Sequence, residues 1–354
     1  MEYSNKLLLK GNEAVVLGSL LAGCDCFFGY PITPASEVAQ TAAEYFPKLG
    51  RTFLQAECET ASINMVMGAS AAGRRVMTAS SGLGISLKQE GVSYIATMEL
   101  PCVIVDVMRG GPGLGNIAPE QSDYNQITKG GGHGGYKVIV LAPSSAQEMC
   151  DHARLAFDLA DTYRSPVYIL TDGVIGQMLE SVTLPEPLPR RESPDWALDF
   201  KVNPRTNYLT SIYMETKDLE EVNIRLNKKY ALIEEKEARA EEYMADDAEF
   251  VLAGFGICGR IVRTAVDLLR KEGIKAGMIR PITLFPFPKE AFRSKVKNAK
   301  EFVSVEMNNG QMIDDIRLTI ECARPVSLVN RMGGNLVSVE SVVEHVRNLA
   351  KGGK

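Results

Sequence analysis

The chain lacks any apolar run of about 18 residues, so no membrane-spanning helix is expected in its 354 residues. Its first six residues, Met-Glu-Tyr-Ser-Asn-Lys, hold no apolar core of the kind an export leader carries, which makes the cytoplasm the expected location. An excess of basic residues is also missing. Lys and Arg number 39 against 44 Asp and Glu, a formal charge of −5, and this argues against a nucleic-acid partner. A disulfide framework is not expected either, because the seven cysteines (24, 26, 58, 102, 150, 258 and 322) are odd in number and scattered. Cys24 and Cys26 stand closest, but no second pair completes a zinc or iron–sulfur site, and most of the set reads as reduced core thiols. No His/Asp/Glu group has metal-ligand spacing, so no metal ligand is assigned to this chain.

What is present is a steady alternation of helix and strand patterns. Helices are expected at 12–22, 35–46 (stopped by Pro47 and Gly50), 59–72, 85–98 and 145–162. Strands are expected at 25–30, 52–56, 76–80, 101–108, 137–142 and 166–171. The almost unbroken apolar run 101–108 is the pattern of a strand covered on both faces. Repeated βα units of this length imply an α/β fold with a doubly wound parallel sheet. The rhythm breaks at 183–206, where five prolines lie among charges, and a charged helix is expected over 215–244. A second, smaller α/β unit follows, with strands at 249–253, 275–279, 301–306 and 326–329 and helices at 260–271, 311–323 and 338–349. The expected division is therefore 1–182, a linker and bridging helix over 183–247, and 248–354.

Several motifs sit where such sheets place ligands, at the carboxyl ends of strands. In Gly29-Tyr-Pro-Ile-Thr-Pro34 the two prolines fix the backbone around Thr33. Glu57 and Glu59 flank the next strand-to-helix junction and should point apart, leaving Glu57 free to cap the helix. The small residues after Glu59 (Ala61, Ser62, Gly68, Ala69 and Ala72) suit close packing at a subunit contact. In Thr78-Ala-Ser-Ser-Gly-Leu-Gly84, hydroxyls and free N–H groups converge. Arg109 ends the buried strand and opens a loop with nine glycines between 110 and 135, a length that is uncommon without a functional reason. Its guanidinium suits a carboxylate. His133, set among glycines, fits either a proton carrier or a loop hydrogen bond. Gly254-Phe-Gly-Ile-Cys-Gly259 has dinucleotide-fingerprint spacing, yet the next strand ends in Arg280 rather than a carboxylate. That leaves a tight structural turn, a phosphate-bearing ligand at the helix start, or an NADP site.

In order, Gly-Asn-Glu-Ala (11–14), Gly-Tyr-Pro-Ile-Thr-Pro (29–34), Gln-Ala-Glu-Cys-Glu (55–59), Gly-Ala-Ser-Ala-Ala-Gly (68–73), Thr-Ala-Ser-Ser-Gly (78–82), Arg-Gly-Gly-Pro-Gly (109–113), Gln-x-Asp-Tyr (121–124) and Pro-Phe-Pro (286–288) resemble one family over nearly the whole chain. It is that of the alpha-type subunits of thiamine-diphosphate-dependent 2-oxoacid:ferredoxin oxidoreductases. The resemblance implies a pyrimidine-binding domain followed by a transketolase C-terminal-like domain. It implies that Glu59 hydrogen-bonds the cofactor's aminopyrimidine, with Tyr30, Pro31, Ser81 and Gly82 on the same side. Thr33 and Arg109 would hold the substrate carboxylate. Mg²⁺, the diphosphate and [4Fe-4S] clusters would belong to a beta subunit and to gamma-type and ferredoxin-like partners, with coenzyme A as co-substrate and ferredoxin as electron acceptor. The chain agrees in lacking both a Gly-Asp-Gly with paired asparagines and a cluster-spaced cysteine set. Leu114 in Gly111-Pro-Gly-Leu-Gly115 would favour an apolar substrate tail, and Lys88-Gln-Glu90, Gly130-Gly-Gly-His-Gly134 and Ile175-Gly-Gln-Met178 are most similar to the 2-ketoisovalerate subgroup. Enzymes for 2-oxoglutarate come second, and a non-catalytic scaffolding subunit is the alternative of another class.

Overall fold

The computed structural model describes residues 6–199 and 207–352. In chain order the first unit runs β1 (Lys6–Lys10), α1 (Gly11–Leu21), β2 (Cys26–Gly29), α2 (Ser36–Lys48), β3 (Thr52–Gln55), α3 (Glu59–Ala71), β4 (Val76–Ser80), α4 (Leu83–Thr97), β5 (Cys102–Met108), α5 (Tyr124–Thr128), β6 (Ile139–Leu141), α6 (Ala146–Tyr163), β7 (Pro166–Asp172), α7 (Gly173–Gln177) and β8 (Leu179–Thr183). The second part runs α8 (Thr216–Lys236), β9 (Ala240–Tyr243), β10 (Phe250–Ala253), α9 (Ile257–Lys271), β11 (Ala276–Pro281), β12 (Thr283–Phe285), α10 (Lys289–Arg293), β13 (Glu301–Glu306), α11 (Met312–Thr319), β14 (Val326–Asn330) and α12 (Val339–Ala350).

A seven-stranded sheet has the order β12-β6-β7-β5-β4-β2-β3, parallel except at the β12 edge. Its centre, β5 and β7, is buried at every residue, as the apolar run over 101–108 requires. A five-stranded sheet has the order β14-β13-β10-β11-β9, parallel except for β9. A separate antiparallel ribbon joins β1 to β8.

Three expectations are corrected. The helix expected over 215–244 stops at Lys236, and 240–243 become an edge strand instead. Val222, Leu226, Tyr230 and Ile233 are the buried stripe of α8. Beyond them the chain loses that spacing, and Glu241 and Glu242 meet Arg280 and Lys295 from the sheet edge. Pro47 does not stop α2 but lies in its last turn, where little of the backbone ladder remains to be broken. The N-cap of α3 is Cys58, whose thiol sulfur accepts the Ala61 N–H at 3.4 Å, while Glu57 is exposed. The proline-rich segment is described except for 200–206, so Pro204 lies outside the described residues.

Candidate active site

Glu59 is the first residue of α3 and is only 6% exposed. Its carboxyl lies over the first turn of α4. A Cβ placed on Gly84 would stand 2.5 Å from Glu59 Oε1 and collide with Ser80 Oγ, so only glycine lets the two helix starts approach. Among the described residues the carboxylate has no hydrogen bond or ion pair. The Ser80 and Ser81 hydroxyls beside it are buried without a partner. Orphaned buried polar groups are rare in native interiors, and here two lie side by side in the chain at the turn the Glu59 carboxyl approaches.

Arg109 stands at the other side of that turn. It ends β5, is 9% exposed, and donates from Nη1 to Thr33 O (3.1 Å) and from Nη2 to Leu114 O (3.3 Å). Gly82 packs against its side chain, 3.5 Å separating Nε from an ideal Gly82 Cβ. No carboxylate among the described residues pairs with it. Its field reaches Asp123 on the same cleft wall without a direct ion pair, so an arriving carboxylate would gain a charge-assisted contact. Thr33 is held through its backbone, leaving its side chain exposed with Tyr30 and Pro31 on the same turn.

Beneath Arg109 lies a feature the sequence reading missed. Asp106, inside β5, is fully buried, and both its carboxyl oxygens lack a donor. It faces Asp123, which accepts the Gly82 N–H. Burial first, and then the Asp123 carboxylate, push Asp106 well above the usual range; burial lifts Asp123 to about 6. One proton shared by the pair supplies the donor that neither oxygen otherwise finds. A second missed group is Lys88, completely buried in α4, whose Nζ donates to Ser62 Oγ (2.8 Å) and Thr78 Oγ1 (3.2 Å). Both carried a readable signal. Asp106 interrupts an otherwise apolar strand, and Lys88 falls in register with Ile85, Val92 and Ile95 on one helical face.

Arg109, Gly82 and Asp123 line one wall of a cleft of about 720 Å³, and Asn308, Gln311 and Met332 line the other. The two units are stitched together below it. Gln121 donates to Phe255 O at 2.9 Å, its backbone N–H donates to Met307 O at 2.7 Å, and Asn308 Nδ2 donates to Gln121 O at 2.9 Å. His133 is exposed on its loop and does not line the cleft. Glycines 254–259 serve as a structural turn. Gly256 has φ +55°, any side chain there would strike Asp172, and the Ile257 N–H that would greet a phosphate is already given to Asp172 Oδ2 at 2.8 Å. Arg280, the residue that left NADP open, is instead spent on Glu148 and Glu241. Among the described residues no group of His, Cys, Asp or Glu is clustered as metal ligands, all seven cysteines are free, and no helix is long and apolar enough to cross a membrane.

Residues 17–245 match the family described as pyruvate flavodoxin/ferredoxin oxidoreductase, thiamine diphosphate-binding, and 248–342 match pyruvate:ferredoxin oxidoreductase core domain II. The chain is 58% identical over 344 residues to the ketoisovalerate oxidoreductase subunit VorB of Methanothermobacter thermautotrophicus, covering 97% of each. It is 39% identical to the 2-oxoglutarate synthase subunit KorA of Archaeoglobus fulgidus, covering 96% of this chain and 98% of that one. A solved 2-oxoglutarate:ferredoxin oxidoreductase from Magnetococcus marinus, with 2-oxoglutarate, coenzyme A and succinyl-CoA bound, superposes with TM-score 0.85 at 28% identity, covering 98% of this chain and 66% of that one. A split-gene transketolase shares the fold at TM-score 0.57 and 14% identity. This chain therefore belongs to the 2-oxoacid:ferredoxin oxidoreductases and is a subunit of such an enzyme, most like the ketoisovalerate group.

Proposed function

We propose that this chain is the alpha-type subunit of a 2-ketoisovalerate:ferredoxin oxidoreductase, with an active site completed by a beta subunit. The observation that carries the reading is the unpaired, buried Glu59 carboxyl against the turn of the orphaned Ser80 and Ser81 hydroxyls, with Arg109, which has no direct ion pair, across that turn. That set fits the amino-heterocycle of thiamine diphosphate next to a carboxylate substrate. When bound, the cofactor supplies a nucleophilic carbon for the keto group and a sink for the electrons left by decarboxylation. Glu59 holds and returns the proton at the ring nitrogen. The Ser81 hydroxyl and Gly82 backbone border the ring, with Tyr30 and Pro31 at its rim. Arg109 and the Thr33 hydroxyl orient the substrate carboxylate and balance its charge until CO₂ leaves. The 1–182 unit acts as the pyrimidine-binding domain, 183–247 as linker and bridge, and 248–354 as the transketolase C-terminal-like domain. The exposed Leu83 and Leu87, one turn apart on α4, suit a face that a partner covers.

Partner subunits carry Mg²⁺, the diphosphate site and the [4Fe-4S] clusters, passing electrons through gamma-type and ferredoxin-like subunits to ferredoxin. Coenzyme A accepts the acyl group, and the complex works in the cytoplasm. The branched substrate is supported by Leu114, 77% exposed beside Arg109, and by the relatives named for ketoisovalerate. The relatives named for 2-oxoglutarate synthase, at lower identity, support that acid as the second reading.

Activity of the co-purified complex is to be compared with 2-ketoisovalerate, 2-oxoglutarate, pyruvate and an aryl pyruvate. The highest kcat/KM is expected with 2-ketoisovalerate, and a preference for 2-oxoglutarate overturns the substrate assignment. Glu59→Gln should lower turnover by about 10²–10⁴-fold with assembly intact. The lone chain should be inactive, and turnover without a partner would remove the shared site.

A further inference from the structure

Among the described residues Lys88 is a buried cation with no ion-pair partner. Its ammonium lies between α3 and α4 and reaches only two neutral hydroxyls, Ser62 and Thr78; Ser62 also donates to Phe28 O at 2.9 Å. The placement is reciprocal. Lys88 lies one turn after Gly84 on α4, where the Glu59 carboxyl rests, and Ser62 lies one turn after Glu59 on α3. The ionisable groups whose fields reach the ammonium are Glu59 and Cys58, both at the start of α3, while Glu90 on Lys88's own helix is exposed. Burial pulls Lys88 down to about 7, with Glu59 and then Cys58 opposing.

We infer that Lys88 is a positioning residue that sets the proton affinity of Glu59 from behind, through a charge buried one turn along α4 from the glycine on which the Glu59 carboxyl rests. The inference rests on the reading of Glu59 as the group that faces the cofactor ring. With the ammonium charged, the Glu59 carboxylate is favoured and its proton moves toward a base in front of it. With the amine neutral, Glu59 retains the proton. A lysine suits this role, because its charge responds to burial and an arginine's does not. The surroundings serve either state, since Ser62, whose proton goes to Phe28 O, accepts from Lys88, and the Thr78 hydroxyl can accept from the ammonium or donate to the amine.

Two measurements test it. In the full chain carrying [13Cε]lysine, NMR should show one lysine titrating near neutral pH, missing in Lys88→Met and moved to lower pH in Glu59→Gln. In the co-purified complex without substrate, hydrogen exchange at the thiazolium carbon of bound thiamine diphosphate should fall at least threefold as pH rises through neutrality. Lys88→Met should stay at the low rate throughout, and Lys88→Arg should keep the high rate with no inflection. The inference is overturned if no such lysine resonance exists, if it ignores Glu59→Gln, or if the methionine variant keeps the wild-type inflection. Equal losses in the methionine and arginine variants overturn it as well, since they indicate packing alone. Unchanged exchange in Glu59→Gln instead removes the reading of the site on which the inference rests.

Discussion

At the residue scale, the groups that matter most are those whose burial is uncompensated. Lys88 loses hydration and gains two neutral hydrogen bonds. Its native proton affinity is lowered, so between about 7 and its ordinary 10.5 the unfolded chain binds the extra proton. Stability due to this residue therefore rises with pH across that window, and the penalty is full below it. Lys88→Met should raise the stability of the full chain at pH 6 by about 1–4 kcal/mol, read from urea unfolding. The Asp106–Asp123 pair has the opposite sign. Its native affinity for a proton is raised, so its contribution is fully present below the unfolded value of 3.8 and is lost as pH rises through the native value, about 6 for Asp123. Asp106→Asn keeps the shape and supplies a permanent donor. It should flatten the decline in stability between those two pH values, and a slope equal to the wild type's in urea unfolding at each pH would show that the pair carries no shared proton. The divergence of Glu57 and Glu59 was readable because a strand-to-helix junction turns alternate side chains apart, while the inward role of Glu59 came from the resemblance. The Asp106–Asp123 pair was not, since their meeting depends on where a loop further along the chain folds back, which no local pattern encodes.

At the element scale, the longer helices and buried strands were legible, while short and edge pieces were not. β12 has three residues and β9 is Ala-Glu-Glu-Tyr, and neither carries enough alternation to register as a strand. Their place is fixed by what lies beside them, β6 and β11. The Gly254–Gly259 turn shows the converse, a legible spacing whose role comes from tertiary contact. Asp172 explains it. Oδ1 of this buried carboxylate accepts from Val174 N (3.1 Å) and Ile175 N (3.0 Å) to cap α7, and Oδ2 accepts from Ile257 N (2.8 Å) at the start of α9. One side chain thus satisfies helix starts in both units. Asp172→Ala should cost about 2–4 kcal/mol, two caps at the usual magnitude plus stranded buried N–H groups. Asp172→Asn should recover part of it, because an amide oxygen still accepts. Differential scanning calorimetry of the three proteins checks the order, and equal melting temperatures would deny the double cap.

At the scale of the whole molecule, the cleft exists because the second unit is held against the first at several points around it. Arg280 is one of the charged ones. It leaves β11 with a side chain only 5% exposed, gives Nη1 and Nη2 to the Glu148 carboxylate on α6 at 2.9 and 2.7 Å, and gives Nε to Glu241 on β9 at 2.7 Å. This bidentate pair fixes orientation as well as distance. The sequence announced Arg280 only as a possible ligand contact, since nothing local tells a guanidinium whether its carboxylate belongs to a ligand or to a helix 132 residues away. Removing it strands the Glu148 carboxylate, while Glu241 keeps Arg263 on its other oxygen; the loss is about 3–5 kcal/mol for a fully buried pair. Here Glu148 and Glu241 keep 27% and 32% of their side-chain surface, so water recovers part of the loss and Arg280→Met should cost about 2–3 kcal/mol. The loss should fall on the contact between units. Hydrogen exchange should rise in β9, β11 and α9 before β5 and β7 respond. Adding Glu148→Gln should recover part of the stability, because one stranded charge is gone, and a double variant no more stable than Arg280→Met would show that the guanidinium acts through packing alone. With thiamine diphosphate and partner subunits present, the same variant should raise KM for the 2-oxo acid more than it lowers kcat. It loosens the wall that carries Asn308 and Gln311 while leaving Glu59 and Arg109 on the sheet that holds them.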